Sequence, residues 1–396
     1  MEWFLTPVDR RILQDPERPA VTGSPTRQVL LVASAAWGLE GGIERFNRRL
    51  IRCLSDLVSA SRLSRVMVLV HFENEDQAGR YPKEVSYTPG SSSVLRTLLS
   101  FARLTLTRRP DVILYGVVSF APLLPLAAML SPRSRRILLV HGIEVWGRPS
   151  SFKRWAVSRF ASEIVSVSRF TMRRMCESYG ITEERFRILP NAVDVDVPGV
   201  AGEASGQKLE GEHRLLSVSR LGEPDRYKNV DKVLRALLVI RKSYPDTHYY
   251  VVGAGALVSE YQGLARELGV AGHVHFLGTI DDSTKDALYA ASDIFVLPST
   301  GEGFGIVYLE AWRYGIPVIC SDQDAASEVV RDGVDGFCVP PEPDRIAASV
   351  MTLFADPPLR RSMGASGQQR LHERYSHERI HKRIEEILFG ENSSAG

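Results

Sequence analysis

Two glutamates eight positions apart lie on either side of the start of a predicted helix. Glu302 is part of the turn STGEG, and Glu310 lies in the helix predicted over residues 304–314, which Gly315 ends. Because eight residues of helix cover about 12 Å, the two carboxylates are too far apart to share one proton or one metal ion. Each could accept hydrogen bonds from a hydroxyl pair, one at the sugar and one at the ribose of a nucleotide diphosphate-sugar. The alternative is that both are solvent-facing acids of an ordinary helix.

The first turn of the same helix is a candidate anion site. Its opening N–H groups have no partner inside the helix, so they favour negative charge. These N–H groups belong to Gly303, Phe304, Gly305 and Ile306. We therefore expect this turn to face the negative charge of a ligand.

Two cations could supply further positive charge for a diphosphate. Arg220 ends a predicted strand, and Lys228 stands just before the next predicted helix, so both are expected at one strand end. Arginine can bind phosphate oxygens through two parallel hydrogen bonds, whereas lysine acts as a point charge. Together they could replace the divalent metal ion that other folds use to stabilise such a leaving group. The alternative is two solvated surface cations.

Strands and helices alternate along most of the chain, in two series. In the first series, apolar and β-branched runs predict strands over 28–36, 65–70, 111–118, 135–142 and 162–168, and helices over 43–58, 94–107, 121–130, 152–160 and 169–179. In the second series, the predicted strands are 214–220, 247–255, 273–278, 293–299, 316–322 and 335–341, and the predicted helices are 230–244, 304–314 and 377–388. Such alternation is typical of parallel sheets covered by helices on both faces.

The sequence therefore predicts an α/β fold of two doubly wound, Rossmann-like domains that face each other across a cleft. The predicted segments are an irregular leader at 1–26, an N-terminal domain at 27–195, a linker at 196–212, a C-terminal domain at 213–375, and at 376–396 a helix returning toward the N-terminal domain with a tail. Ligands of such folds bind beyond the carboxyl ends of the strands.

Composition and charge are those of an ordinary globular protein. The 396 residues carry a net charge of +2, which favours neither nucleic acid nor an acidic substrate. The charge is uneven, with 28 Lys and Arg against 18 Asp and Glu up to residue 195, and 21 against 29 after it. The four cysteines show no CxxC spacing, which favours a reducing compartment. The longest apolar run, residues 117–130, contains two prolines and is shorter than the roughly 20 residues of a membrane span.

The segment EGFGIVYLE, residues 302–310, resembles the E-x7-E signature of retaining GT-B glycosyltransferases of glycosyltransferase family 4 (glycosyl transferases group 1). The likeness extends over residues 28–388. In that family the first acid and the amides after it hold the donor sugar, and the second acid holds the ribose. The resemblance gives these roles to Glu302, to the amides of Gly303, Phe304, Gly305 and Ile306, and to Glu310.

The resemblance also implies roles for the two cations. The family places an Arg and a Lys where Arg220 and Lys228 stand, and there they bind the diphosphate. The family commonly has glycine before this Arg and after this Lys, whereas this chain has Ser219 and Asn229. The difference concerns the geometry of the loop more than its chemistry.

Three further residues at strand ends match the family pattern. Gly41 and Gly42, in EGGIE, would let a phosphate or sugar approach the backbone. His141, at the end of a buried strand, is implied to contact the donor sugar near its anomeric carbon without acting as a general base. The alternative for His141 is a packed core histidine. Glu144 and Ser168 are expected nearby, on the cleft side.

No metal site is predicted. Asp194 and Asp196 form a D-x-D pattern like that of metal-dependent transferases, but its position beside the predicted linker argues against that use. The histidines at 273, 275, 377 and 381 do not suggest a complete ligand set. Transfer is expected to need no metal or other cofactor, with the nucleotide diphosphate-sugar as co-substrate.

The resulting prediction is a retaining, metal-independent hexosyltransferase. It would move a hexose from GDP-mannose or a UDP-hexose onto a polyprenyl-linked, other lipid-linked or polysaccharide acceptor in bacterial surface polysaccharide synthesis. By the resemblance, the N-terminal domain binds the acceptor and the C-terminal domain binds the donor nucleotide. His141, Glu302, Arg220 and Lys228 form the expected catalytic set. The alternatives are a nucleotide-sugar epimerase of the same architecture and a sugar-nucleotide binder without turnover.

A basic amphipathic stretch in the N-terminal half suggests a membrane partner. In VLRTLLSFARLTLTRR, residues 94–109, arginines alternate with leucines and a phenylalanine. Such a face suits an anionic membrane surface, which predicts a cytoplasmic protein that is peripheral on the inner face of the cell membrane. The alternative is a helix that packs its apolar face on the core and leaves its arginines in water.

Overall fold

The computed structural model describes residues 27–39, 41–195 and 209–390. The predicted leader, most of the predicted linker (196–208) and the end of the tail lie outside the described residues.

The first part of the chain forms a seven-stranded parallel sheet with strand order β3-β2-β1-β4-β5-β6-β7. Its strands are β1 (Arg27–Ala33), β2 (Leu63–Val70), β3 (Val85–Pro89), β4 (Val112–Tyr115), β5 (Arg135–Val140), β6 (Glu163–Ser166) and β7 (Phe186–Ile188). The helices that accompany it are α1 (Gly42–Ser59), α2 (Val94–Arg108), α3 (Leu123–Leu130), α4 (Ser151–Phe160) and α5 (Arg169–Tyr179). We call this part the N-terminal lobe.

The second part forms a six-stranded parallel sheet with strand order β10-β9-β8-β11-β12-β13. Its strands are β8 (His213–Val218), β9 (Thr247–Val252), β10 (Val274–Gly278), β11 (Ile294–Leu297), β12 (Val318–Ser321) and β13 (Gly336–Val339). Its helices are α6 (Val230–Ile240), α7 (Leu257–Glu267), α8 (Asp282–Ala291), α9 (Ile306–Arg313), α10 (Ala326–Val329), α11 (Pro343–Ala355) and α12 (Pro357–Arg374). We call it the C-terminal lobe.

Alternation of side chains along the central strands explains why helices cover both faces of each sheet. In β1, Leu31 packs with residues of α1 such as Phe46, whereas its neighbour Leu30 packs with Phe101 of α2 on the other face. Both leucines are fully buried. Successive side chains of a strand point to opposite faces, so a continuous apolar strand needs two covering layers. The predicted pair of doubly wound domains is confirmed.

Several predicted boundaries differ from the structure for local reasons. Strand β4 ends at Tyr115 rather than at 118, because residues 118–120 form a 3-10 turn. The helix predicted from 304 begins at Ile306, because Gly305 has a left-handed backbone with φ 89°. Glu302 therefore stands four residues before the helix, and the estimate of about 12 Å for eight helical residues does not apply to this pair.

The last helix, α13 (His377–Phe389), leaves the C-terminal lobe and packs on the N-terminal lobe. Arg27 at the start of β1 donates to the carbonyl of Leu388, and Arg135 at the start of β5 donates to the same carbonyl over 2.9 Å. The Arg27 guanidinium also lies over the ring of Phe389, 5.5 Å from its centroid. The chain therefore connects the lobes twice, once after residue 195 and once at residues 375–377.

Within the described residues, no helix combines the length and the apolar character needed to cross a bilayer.

Candidate functional site

The carboxyl ends of the two sheets meet at a contact between backbones. Gly303 lies in the turn after β11 and has no side chain. Its carbonyl accepts a hydrogen bond from the Ser168 hydroxyl over 2.7 Å. A Cβ atom on Gly303 would lie 1.8 Å from the carbonyl oxygen of His141, which follows β5. Only glycine fits at this distance, so the two lobes are closed on each other at residue 303. The predicted cleft lies at this edge.

Lys228 and Glu302 form a nearly buried ion pair at the edge of the C-terminal lobe. Their side chains are 12% and 13% exposed, and the Lys228 ammonium donates to Glu302 Oε1. Ser299 donates to the same oxygen over 3.3 Å. Burial is the largest single influence on the pKa of Lys228 and lowers it, but Glu302 and Tyr227 together raise it by more. The pKa therefore lies above its ordinary value and the lysine is charged. The interpretation of Glu302 as a solvent-facing acid is wrong.

Asp324, which the sequence analysis missed, fixes the backbone of this turn. It is fully buried after β12, and its two oxygens accept the N–H groups of Glu302 and Ala326 over 2.8 and 2.9 Å. Burial, and then the nearby Glu302 charge, raise the pKa of Asp324 to about 8. One signal in the sequence could have indicated Asp324, because it follows β12, which adjoins β11. The carboxyl ends of neighbouring parallel strands share an edge.

Arg220 follows β8 and presents a guanidinium that is 69% exposed. It donates to the buried carboxylate of Asp225 over 3.0 Å, which holds the guanidinium in one place. Burial is the largest single influence on the pKa of Arg220 and lowers it, but Asp225 and Tyr227 together raise the pKa above its ordinary value. Arg220 is close enough to Lys228 for its positive charge to act to lower the pKa of the lysine. The two predicted diphosphate ligands are therefore neighbours.

The glycines of VVGAG, residues 251–255, support the loop that carries Arg220. A Cβ atom on Gly253 would lie 1.7 Å from the carbonyl oxygen of Ser219, and one on Gly255 would lie 2.1 Å from that of Leu221. Both glycines have positive φ, at 138° and 154°. The loops after β8 and β9 can approach this closely only without side chains.

The start of α9 has the features expected of an anion site. Its N-cap, Gly305, provides no side-chain cap for the first turn. The Phe304 side chain is buried and packs edge-on against Tyr375, with ring centroids 5.6 Å apart. Phe304 therefore anchors the turn with its ring and can contribute only its backbone to a ligand. Ile306 begins the helix, as its amide role requires.

Glu310 lies between the lobes and is bound to a residue of the N-terminal lobe. Arg45 of α1 donates to Glu310 Oε1, and the Tyr289 hydroxyl donates to Oε2 over 3.1 Å. The carboxylate is nearly buried, so the solvent-facing alternative is wrong for Glu310 as well. Nothing in the sequence indicates that Arg45, a cation of the other lobe, contacts the acid expected at the ribose.

His141 is held from two sides at the end of β5. Its Nε2 lies 2.8 Å from the carbonyl oxygen of Gly116, which can only accept, so Nε2 carries the proton and Nδ1 is the ring's acceptor. Its backbone N–H donates to Glu144 over 2.5 Å. The ring packs edge-on against Phe46 at 4.9 Å. His141 adjoins the contact at Gly303, so the structure brings it next to the turn that contains Glu302.

Gly41 and Gly42 open α1, the helix that carries Arg45 to Glu310. The loop before them is shaped by Glu73, a buried acid that the sequence analysis missed. One oxygen of Glu73 accepts the successive N–H groups of residues 36–38 over 2.6–2.8 Å. A carboxylate of the protein already fills this anion nest, so these three N–H groups are not available to a ligand.

The D-x-D pattern lies only partly within the described residues. Asp194 is mostly exposed and lies 3.9 Å from Arg49, and Asp196 lies outside the described residues. Among the described residues, one group of side chains could hold a metal ion, formed by Glu210, His248 and His275. It lies at the amino ends of β9 and β10, away from the cleft. Of the four histidines considered in the sequence analysis, His275 belongs to this group. The sequence did not indicate the group, because its members come from three separate segments.

Two family models match consecutive parts of the chain. The model described as "Glycosyltransferase Family 4" matches residues 40–197, and "Glycosyl transferases group 1" matches residues 203–370. The boundary between the two matches falls in the predicted linker.

Curated relatives and solved structures match over longer stretches. The chain is 32% identical over 292 residues to a GDP-mannose-dependent alpha-(1-6)-phosphatidylinositol monomannoside mannosyltransferase of Mycolicibacterium smegmatis, covering 69% of this chain and 76% of the relative. It is 26% identical over 388 residues to a GDP-mannose-dependent monoacylated alpha-(1-6)-phosphatidylinositol monomannoside mannosyltransferase of Corynebacterium glutamicum, covering 93% and 99%. The crystal structure of Anabaena Alr3699/HepE in complex with UDP aligns with a TM-score of 0.73 at 21% identity, covering 91% of this chain and 99% of that one.

Proposed function

Because the chain belongs to glycosyltransferase family 4, with the GT-B fold, we propose that it transfers a mannosyl group from GDP-mannose to a lipid-linked carbohydrate, with retention of configuration. The family makes the chain a glycosyltransferase, and the epimerase alternative is wrong. The choice of mannose rests on the curated relatives, whose names specify GDP-mannose as donor and a phosphatidylinositol mannoside as acceptor. A UDP-hexose is the competing donor.

The observation that carries the proposal is the ion pair of Lys228 and Glu302. Each partner suits a different part of the donor. The ammonium can bind the diphosphate, and the carboxylate can accept hydrogen bonds from the sugar hydroxyls. On binding, a phosphate oxygen takes the place of Glu302 beside Lys228, and Glu302 turns its oxygens to the sugar. The exchange replaces one charge-assisted contact with two, which offsets the cost of separating a buried pair.

The transfer step needs a stabilised leaving group more than a protein base. The bond from the anomeric carbon to the diphosphate oxygen breaks while the acceptor oxygen bonds to the same face of that carbon. The acceptor proton passes to the departing phosphate oxygen. Arg220, Lys228 and the amides after Gly303 stabilise the negative charge that develops. His141 directs its Nε2 proton to Gly116 and is left with Nδ1 as an acceptor, which suits a hydrogen bond from a hydroxyl of the sugar.

The proposal assigns no metal ion to the transfer step. Two cations and the N–H groups of a helix start already face the expected diphosphate. Addition of a chelator should therefore leave the rate unchanged, and a rate that requires Mg²⁺ or Mn²⁺ would contradict this part.

Docking of the N-terminal lobe on an anionic membrane would give access to a lipid acceptor. Helix α2 buries Thr97, Phe101 and Thr105, and Leu104 packs against the same core, whereas four other leucines are exposed. The exposed large apolar residues on the covering helices are Val94, Leu95, Leu98, Leu99, Leu106, Met129, Phe152 and Trp155. The alternative, a helix that packs on the core and leaves its arginines in water, stays open, because Phe101 and Leu104 do pack on the core. An apolar face with interleaved arginines suits a surface of anionic lipids.

The decisive experiment presents the purified chain with nucleotide-sugars and a membrane lipid extract. We expect GDP-mannose to raise the melting temperature, label from its mannose to enter the lipid fraction, and the new linkage to have the α configuration of the donor. Transfer from a UDP-hexose alone would overturn the choice of donor. Donor binding without release of nucleotide, in the presence of lipid, would support the non-catalytic alternative. Flotation with anionic vesicles tests docking separately.

A further inference from the structure

We propose that Glu210, His248 and His275 form a binding site for one divalent transition-metal ion, with Zn²⁺ as the best match. The site lies at the end of the C-terminal lobe opposite the cleft, so it is separate from the proposed transfer reaction. His248 and His275 are each the second residue of a strand, in β9 and β10, and Glu210 precedes β8.

The three ligand atoms already lie at nearly the separations that a tetrahedral zinc ion requires. His248 Nδ1 lies 2.9 Å from His275 Nε2 and 3.8 Å from a Glu210 carboxylate oxygen. All three atoms lie within 4.8 Å of one another. With Zn–N bonds of about 2.0–2.1 Å, tetrahedral ligands stand roughly 3.3 Å apart, between the two measured distances. Small rotations of the side chains would therefore suffice.

Groups around the site orient the ligands. Asp246 Oδ1 lies 3.4 Å from His248 Nε2, so a carboxylate faces one ring nitrogen while the other points at the site. Carboxylates that hold the far nitrogen of a liganding histidine are typical of zinc sites. The Tyr250 ring stacks on His275 with an interplanar angle of 13°, and its hydroxyl donates to the Glu210 carbonyl over 3.0 Å.

The donor set selects the class of ion. Two imidazoles and one carboxylate suit Zn²⁺, Co²⁺ or Ni²⁺, whereas Mg²⁺ and Ca²⁺ prefer oxygen ligands. Three protein ligands leave a fourth position for water. Bound metal would fasten the segment at residues 209–212 to the sheet, where the chain enters the C-terminal lobe. The competing interpretation is a pair of histidines that share one proton.

Metal binding to the full chain, without a polyhistidine tag and after removal of metal by chelation, tests the site. We expect one Zn²⁺ per chain by calorimetry, a Co²⁺ complex with the visible absorption of a four-coordinate ion, and a higher melting temperature with Zn²⁺. Glu210→Gln and His275→Gln should each weaken Zn²⁺ binding by at least about tenfold. Glu210 is exposed, so its variant should fold normally.

Glu212→Gln is the matched control, because Glu212 is an exposed acid two residues further on, and its variant loses the same charge. We expect wild-type Zn²⁺ affinity in this control. Absence of stoichiometric binding in the wild type would overturn the proposal, as would equal affinity in the wild type and Glu210→Gln. None of these readouts depends on glycosyl transfer, so failure of the proposed function would leave the result intact.

Discussion

The two lobes share one architecture but use their acidic side chains differently at the edges that face each other. In the C-terminal lobe, Glu302 pairs with a lysine, and in the proposed function this pair exchanges its contact for contacts with the donor. In the N-terminal lobe, Glu73 and Glu144 accept backbone N–H groups of the loops after β1 and β5. In the proposed function, the first edge therefore offers a charged pair to a ligand, with Asp324 fixing the turn behind it, whereas the two acids of the second edge serve only to fix its loops.

The largest effect should come from the charged edge, with Lys228→Ala. Removal of the ammonium leaves the diphosphate and Glu302 without their nearest cation, and we expect kcat/KM to fall by on the order of 10²–10³-fold. Glu302→Ala should have a similar effect. Initial rates measure the loss, and circular dichroism confirms the fold. Lys232→Ala, which removes a half-buried lysine of α6, should keep the wild-type rate. Wild-type turnover in Lys228→Ala would contradict the assignment.

The contact between the edges is tested by Gly303→Ala. The backbone of Gly303 lies outside the left-handed region, so alanine causes strain only through its Cβ atom, 1.8 Å from the His141 carbonyl oxygen. We expect kcat to fall by roughly 10–100-fold because misplaced groups lose their alignment, with little change in melting temperature. Gly147→Ala is the control, since nothing lies within 4 Å of its Cβ position. Equal rates in the two variants would show that closure at residue 303 is unnecessary.

The shape-fixing edge is tested by Glu73→Ala. This change leaves three backbone N–H groups and the Tyr81 hydroxyl without their acceptor, which should lower the free energy of unfolding by about 2–4 kcal/mol. The KM for the donor should change by less than about threefold, because Glu73 contacts only its own lobe. Urea unfolding measures the free energy of unfolding, and initial rates at varied donor concentration measure the KM. A large loss of donor affinity in a Glu73→Ala variant of normal stability would contradict the claim that Glu73 only fixes the shape of its loop.

The smallest effect is a pH dependence at Asp324. Its pKa of about 8 means that the carboxyl is protonated at neutral pH and becomes negative as the pH rises. An anionic donor favours the protonated form, so donor affinity should fall severalfold above pH 8. Asp324→Asn should remove this dependence. Parallel pH profiles of the donor dissociation constant for both proteins test it, and the same fall in the variant would assign the effect to another group.

The sequence was sufficient to predict the two sheets and the edge on which the site lies. Alternating runs predict parallel strands, and the carboxyl ends of such strands meet, so Arg220, Lys228 and Glu302 could be expected together. The edge strands β3 and β7 were missed, because they are short and only partly apolar.

Partners that are distant in sequence could not be predicted. Arg45 and Glu310 are 265 positions apart, and their contact depends on how the lobes close. Glu73 and Asp324 have no motif of their own, because a carboxylate that accepts backbone N–H groups needs only a loop at the right distance. The metal group likewise draws its ligands from three segments with no characteristic spacing.

The double connection between the lobes has a mechanical consequence. Residues 193 and 375 lie side by side, because the Val193 N–H donates to the Tyr375 carbonyl over 3.3 Å. The described ends of the two connections therefore meet at one place, which we call the pivot. Phe304 packs directly on Tyr375 and thus sits beside that pivot. When the lobes swing apart, points near the axis travel least. The peptide nitrogens after Gly303 would then stay close to their closed arrangement while the distant rims of the lobes separate. The entrance of the cleft could therefore open without displacing the groups expected to bind the diphosphate.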